Sequence, residues 1–207
     1  MNYTKNSRTS IVIGIICVLA TAVFVYTIIH AVYYYEPESG MSVLPIASTT
    51  LQVSHASSTL GIPVQIIIPT IHIDTKIQSV GITSKGNMGV PNNFTDTGWY
   101  KYGSLPGTIG SSVIDGHVDN GLGISAVFKH LKELHIGDDV YVVMSTKKKL
   151  HFQVIDKQIY YYINAPLTKI FNQTDIARLN LITCDGNWVS STKTDDHRVV
   201  VFTKLIQ

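Results

Sequence analysis

The sequence predicts a mostly β domain, folded as a closed or nearly closed β-barrel with one or two short helices and preceded by an N-terminal transmembrane helix. Short runs rich in β-branched and aromatic residues, separated by clusters of turn residues, indicate the strands. A single internal segment has helical spacing, and a long uncharged apolar run lies near the N-terminus. A β-sandwich is the alternative arrangement of the same strands.

The N-terminal apolar run is long enough to cross a membrane. Residues 11–29 contain no charge and, as a helix rising about 1.5 Å per residue, would extend roughly 28 Å, close to the hydrocarbon thickness of a bilayer. A cleaved signal peptide is the alternative, because Ala20-Thr21-Ala22 has the small residues of a cleavage site. The apolar run continues past that site, which favours an uncleaved signal anchor of residues 10–35 in contact with membrane lipid.

The flanking charges predict the orientation of this anchor. Lys5 and Arg8 precede it, whereas Glu36 and Glu38 follow it. The positive-inside rule therefore makes residues 1–9 a cytoplasmic tail and places the rest of the chain outside. The predicted location is the plasma membrane, crossed once, with an extracytoplasmic domain.

The exported part divides into a tether and a single domain. Residues 36–60 are rich in Ser, Thr and Pro and predict an extracytoplasmic linker. Residues 61–207 suit one domain with a single core. The net charge of +2 is too small to indicate a nucleic-acid partner.

Strand-like runs recur through this domain, and one helix-like segment interrupts them. The segment 124–134 carries apolar residues at helical spacing, with Ser125 as a plausible cap and Gly137 as the stop. The triple lysine 147–149 predicts a solvated hairpin turn. The predicted strands are 66–68, 111–119, 140–144, 150–155, 179–182 and 199–202.

Three reactive side chains stand at the predicted strand termini. Cys184 follows the run 179–182 and precedes a turn signal, Asp185-Gly186. His117 lies near the C-terminal end of the run 111–119, and Arg198 opens the last run. A thiol, an imidazole and a guanidinium are the parts of an acyl-transfer site.

Each of these residues also has a simpler interpretation. Cys184 could be buried and inert, since the other cysteine, Cys17, lies in the membrane run and the domain has no disulfide framework. His117 alone would be a structural histidine, and Arg198 alone a surface ion pair. Asp115, His117 and Asp119 could share a strand face, but two carboxylates and one imidazole are weak grounds for a metal site.

The three residues occur in motifs of a known family. Their order along the chain, His, Cys, Arg, and the number of residues between them both match the pattern of that family. The motifs are Gly116-His117-Val118-Asp119, Leu181-Ile182-Thr183-Cys184 and Arg198, accompanied by Thr97-Gly98-Trp99-Tyr100 and by residues 106–111 and 127–131. With these stretches the chain resembles the sortase family of cell-surface cysteine transpeptidases, and the His-Val-Asp and Thr-Cys-x-Gly forms look closest to class E or F. One departure is Asn180, which stands where the family usually has Thr.

This resemblance implies a sortase-type barrel and a role for each residue. Cys184 would attack the carbonyl of an LPxTG-like sorting signal, His117 would act as acid and base, and Arg198 would stabilise the oxyanion. Thr183, Asp119 and Asp185 would support the site or the substrate, and no cofactor or metal is expected.

The implied partners are surface proteins or pilins that carry the sorting signal, together with an amine acceptor such as a cell-wall peptide. Two alternatives remain open from the sequence. Water could release the acyl group, which would make the protein a thiol peptidase, or the barrel could be a non-catalytic surface-binding domain.

Overall fold

The structure is a computed structural model that describes residues 4–34, 60–120 and 122–206. Helix α1 spans Thr4–Tyr34. Within it, Ser10–His30 is long and apolar enough to cross a membrane, on grounds of length and composition that a signal sequence would share. The predicted linker, apart from Leu60, lies outside the described residues.

The described part of residues 61–207 is built mainly from strands, with short 3-10 turns at Pro69–Ile71, Leu131–Glu133 and Tyr162–Asn164. A short helix, α2, spans Leu167–Phe171. The strands are β1 Pro63–Ile68, β2 Ile73–Val80, β3 Thr97–Tyr100, β4 Gly110–Asp115, β5 Asp139–Met144, β6 Lys149–Tyr161, β7 Ala177–Val189 and β8 Thr194–Leu205.

These strands form a closed barrel in the order β1-β2-β3-β4-β7-β8-β6-β5. The pairs β2–β3 and β4–β7 are parallel, and the other neighbours are antiparallel. The predicted barrel is therefore confirmed and the sandwich is not. Each of the six predicted runs falls in a strand, although the run 111–119 leaves its strand at Asp115. Strands β2 and β3 were not predicted.

Strands β7 and β8 are buried on both faces. Leu181, Val199 and Val201 point into the core inside the barrel. Ile182 and Val200 alternate with them and belong to a second apolar cluster on the outer face, which α2 covers. A strand covered on both sides needs a continuous apolar run, and the run 199–202 reflects this.

Asn180 links strand β7 to helix α2 through a hydrogen bond. It is fully buried in β7, and its Nδ2 donates a hydrogen bond to the carbonyl of Ile170 in α2. The departure from the usual Thr at this position thus bears on the support of the outer cluster.

The predicted helix over residues 124–134 was wrong. Only Leu131–Glu133 forms a 3-10 turn, and the predicted cap, Ser125, instead forms an isolated β-bridge with Asp119. The apolar pattern did identify core residues, because Phe128, Leu131 and Leu134 are fully buried.

The reason for this difference lies in the backbone donors of the segment. In an α-helix the N–H groups after the first turn bind carbonyls four residues earlier, and those of the first turn find partners elsewhere. Here the first donors bind distant carbonyls: Ala126 N binds Val118 O (3.1 Å), Val127 N binds Phe94 O (2.9 Å) and Phe128 N binds His117 O (2.9 Å). The later N–H groups of Lys129, Leu131, Glu133 and Leu134 bind carbonyls three residues earlier. The segment therefore forms tight turns instead of an α-helix, and its first donors hold the segment that carries His117.

We expect Phe128→Ala to lower the free energy of unfolding by about 3–5 kcal/mol, because it leaves a cavity in a core where Phe128 has no exposure. The measurement is urea unfolding of the full chain in detergent micelles, followed by tryptophan fluorescence. Ile136→Ala is the control, since Ile136 is 75% exposed and should change stability by less than about 0.5 kcal/mol. Equal losses in the two variants would contradict this packing.

Candidate active site

The predicted reactive residues meet on the outer face of the barrel, where β4, β7 and β8 lie side by side. A small cavity of about 20 Å³ marks this place. Of the predicted site residues, His117, Cys184, Arg198 and Thr183 line it, whereas Asp119 and Asp185 do not. The complete lining is Met88, Val90, Asp115, Gly116, His117, Ile182, Thr183, Cys184 and Arg198.

Cys184 and Arg198 are brought together by strand register. They are direct partners in the antiparallel β7–β8 pair. Opposed residues in such a pair project from the same face, with Cβ atoms about 4.5–5.5 Å apart. Cys184 is partly exposed, while Arg198 is only 2% exposed. The thiol of Cys184 can therefore contact a substrate, while the guanidinium of Arg198 beside it stays buried between the strands.

Cys184 does not end its strand, so the interpretation of Asp185-Gly186 as a turn was wrong. Strand β7 continues to Val189, and the register with β8 shifts between Asp185 and Trp188. Gly186 has a φ of 89°, a left-handed conformation that glycine adopts readily. Asp185 still pairs with His197, and Gly186 and Asn187 together lie opposite Asp196, so these two residues form a β-bulge just beyond Asp185. Bulges of this kind re-aim neighbouring side chains.

The guanidinium of Arg198 is anchored by the strand that carries it. Nη1 donates to the carbonyls of Asp195 (2.9 Å) and His197 (2.7 Å), and Nη2 donates to Oγ1 of Thr194 (2.6 Å). On one side it faces the ring of Tyr162, with 5.5 Å from Cζ to the ring centroid. These contacts fix a permanent positive charge beside Cys184.

His117 is 7% exposed and held by the segment between β2 and β3. Its Nε2 lies 3.1 Å from the carbonyl oxygen of Pro91, and the ring of Phe94 packs at 5.0 Å between centroids. A carbonyl oxygen only accepts hydrogen bonds, so Nε2 carries a proton in this arrangement. Nδ1 is therefore the ring nitrogen whose protonation can change.

Thr183 joins the His117 segment to β7. Its Oγ1 donates to the carbonyl of Gly116 (2.7 Å), and the N–H of Gly116 donates to the carbonyl of Ile182 (3.1 Å). A Cβ at Gly116 would lie 2.7 Å from Phe128, so a larger residue would displace the segment. Thr183 thus holds the backbone that precedes His117.

Asp119 and Asp185 lie outside the cavity, each beside a lysine. Oδ2 of Asp119 is 3.6 Å from Nζ of Lys129, and Oδ1 of Asp185 is 3.1 Å from Nζ of Lys132. Burial raises the pKa of the Asp195 carboxyl, and the negative charge of Asp119 raises it further. Both aspartates therefore contribute negative charge near Asp195, whose carbonyl accepts a hydrogen bond from Arg198.

The position of Asp115 in this cavity was not predicted from the sequence, in which the residue was considered only as a possible metal ligand. Asp115 lines the cavity at 8% exposure, and its Oδ1 has no hydrogen-bond partner among the described residues. Burial raises the pKa of this carboxyl well above its ordinary value. Within the described residues, no group of three or more His, Cys, Asp or Glu is arranged to hold a metal ion.

Comparisons with known proteins agree on one family. The family model described as the sortase domain matches residues 66–206 of this chain. Sortase C1 of Streptococcus agalactiae has a similar structure, with a TM-score of 0.54 and 24% identity over 70% of this chain and 67% of that one. The lid mutant of sortase A from Corynebacterium diphtheriae gives 0.54 and 22% over 70% of each chain.

Sortase C-1 from Actinomyces oris gives a TM-score of 0.51 and 24% identity, over 70% of this chain and 73% of that one. At these identities the three structures establish a shared fold. A search of the curated proteins found no match.

The buried carboxyl of Asp115 gives the protein a specific dependence on pH. The unfolded chain loses this proton near pH 3.9, whereas the folded chain keeps it to higher pH, so folding becomes less favourable as pH rises. Asp115→Asn removes this ionisable group. We therefore expect the unfolding free energy of Asp115→Asn, relative to that of the native chain, to increase by about 1.4 kcal/mol per pH unit above pH 4.5, until the pH reaches the pKa of Asp115 in the folded chain.

The measurement is urea unfolding of the native chain and of Asp115→Asn at pH 4.5, 5.5 and 6.5. All other ionisable groups are common to both proteins, so their contributions cancel in the difference. A difference that does not change with pH would show that Asp115 titrates normally in the folded protein.

Proposed function

This chain belongs to the sortase family of cysteine transpeptidases, and we propose that it cleaves an LPxTG-like sorting signal through a thioacyl intermediate and transfers the acyl group to an amine. One observation carries this proposal most directly. Cys184 and Arg198 are opposed on β7 and β8, and they line the same cavity as His117. A thiol, a fixed cation and an imidazole in one cavity suit acyl transfer.

The first step is attack of the Cys184 thiolate on the scissile carbonyl. The thiolate is the nucleophile, and the new C–S bond moves the carbonyl electron pair onto oxygen. Arg198 lies opposite Cys184 in the next strand, where it can donate hydrogen bonds to this oxyanion. Because three hydrogen bonds hold the guanidinium of Arg198 in place, its positive charge does not have to move during the reaction.

His117 handles the protons of the two amines. When the C–N bond breaks, Nδ1 gives its proton to the departing amine, while Nε2 stays on the carbonyl of Pro91. The acceptor amine then gives a proton to Nδ1 and attacks the thioester. The C–S bond breaks and returns the thiolate of Cys184, so the cycle closes without a cofactor.

We place this reaction at the outer surface of a membrane. In this proposal residues 1–9 are cytoplasmic, residues 10–35 anchor the chain in lipid, residues 36–60 tether the domain, and residues 61–207 form the catalytic domain. The apolar stretch Ser10–His30 supports the anchor. Sorting-signal proteins or pilins would be the acyl donors, and a cell-wall peptide is a suitable amine acceptor. Assignment to class E or F stays a prediction.

We expect the full chain in detergent micelles to convert an LPxTG peptide, in the presence of a small primary amine, into a product that carries the amine. Cys184→Ala should lower this rate by at least about a thousandfold, because it removes the nucleophile. Cys17→Ser is the matched control, since it changes the other cysteine and should retain the activity. Mass spectrometry of the peptide products measures both.

The products separate the alternatives. Cleaved acid as the sole product, even at high amine concentration, would favour a thiol peptidase. Turnover that is equal in the native chain and in Cys184→Ala would exclude Cys184 as the nucleophile of either enzyme function. No turnover by the native chain would leave a non-catalytic binding barrel.

A further inference from the structure

Asp115 occupies an unusual place for a carboxyl group. It is the last residue of β4, aligned with Gly98 of β3 and Ile182 of β7. It lines the cavity together with His117 and Cys184. The proton transfers and the nucleophilic step described above do not use it.

One oxygen of this carboxyl lies against Gly98, which has no side chain. A Cβ on Gly98 would lie 2.5 Å from Oδ1 of Asp115, 3.0 Å from Val80 and 3.1 Å from Pro91. The absence of a side chain at Gly98 therefore leaves the space that Oδ1 occupies. A buried polar atom without a hydrogen bond lowers stability, and such atoms in folded proteins call for an explanation, of which a functional role is one.

The cavity limits what could reach this carboxyl. Its volume of about 20 Å³ is enough for one water-sized group. It also borders Cys184 and Arg198, the residues assigned to the scissile carbonyl. A short side chain that enters it therefore belongs to the substrate residue that supplies this carbonyl.

We propose that Asp115 is a specificity-determining residue that binds a hydroxyl group on the substrate residue whose carbonyl is attacked. This inference rests on the proposed function and adds a partner for that side chain. A protonated carboxyl both donates and accepts, as a hydroxyl does, so the two groups can satisfy each other. An apolar side chain of the same shape would leave the carboxyl buried and unpaired.

The test compares two quenched peptides that differ only at this residue, with threonine in one and its isostere valine in the other. The native chain in detergent micelles should favour threonine by about tenfold in kcat/KM, the discrimination expected of about one hydrogen bond. In Asp115→Ala and in Asp115→Val, which fills the site more fully, the threonine-to-valine ratio should fall to about one or two. Asp115→Asn keeps a donor and an acceptor and should retain most of the preference.

Ser112→Ala is the matched control. Ser112 lies on the same strand, is fully buried and also has an oxygen without a hydrogen-bond partner among the described residues, but it does not line the cavity. The threonine-to-valine ratio of Ser112→Ala should equal that of the native chain. A ratio that persists in both Asp115→Ala and Asp115→Val, or is lost in Ser112→Ala as well, would overturn the assignment of Asp115 alone. Failure of the native chain to cleave either peptide would overturn the proposed function and this assignment with it.

Discussion

The site depends on the register of one strand, β7, between its two neighbours. Its parallel pairing with β4 sets Ile182 beside Asp115, and its antiparallel pairing with β8 sets Cys184 opposite Arg198. A slip of one residue in either ladder would turn Cys184 toward the barrel core or part it from its partner. The apolar residues on both faces of β7 oppose such a slip, because it would carry each set to the wrong cluster.

Segments outside the β7 ladders supply the contacts that hold the other site residues in place. His117 lies beyond the end of β4, and the backbone of residues 126–128, the hydroxyl of Thr183 and the carbonyl of Pro91 hold its segment. Arg198 is fixed by its own strand and by Thr194. Function and stability conflict at Asp115, whose buried carboxyl is the kind of local violation that proteins retain at functional sites.

The sequence was informative where burial dictates residue type. Apolar runs predicted six strands and the barrel, and the order of His117, Cys184 and Arg198 identified side chains that meet in space. Strand β2 was missed because its sequence, Ile73 to Val80, includes a polar stretch at a half-exposed wall. The helix over residues 124–134 was predicted from the spacing of apolar residues. That spacing identifies the buried side chains but does not distinguish an α-helix from the tight turns that this segment forms. The position of Asp115 in the cavity likewise follows from its alignment with Gly98 and Ile182, which are distant in sequence.

The proposed mechanism requires Cys184 to carry the acyl group during the reaction. It is tested most directly by mixing the full chain with a sorting peptide in the absence of amine, quenching with acid and measuring the mass of each cysteine-containing fragment. We expect the fragment with Cys184 to gain the mass of the acyl portion of the peptide, and we expect a primary amine added before the quench to remove this gain. Turnover of the peptide with no adduct on Cys184 at any time, or with the adduct on another residue, would contradict it.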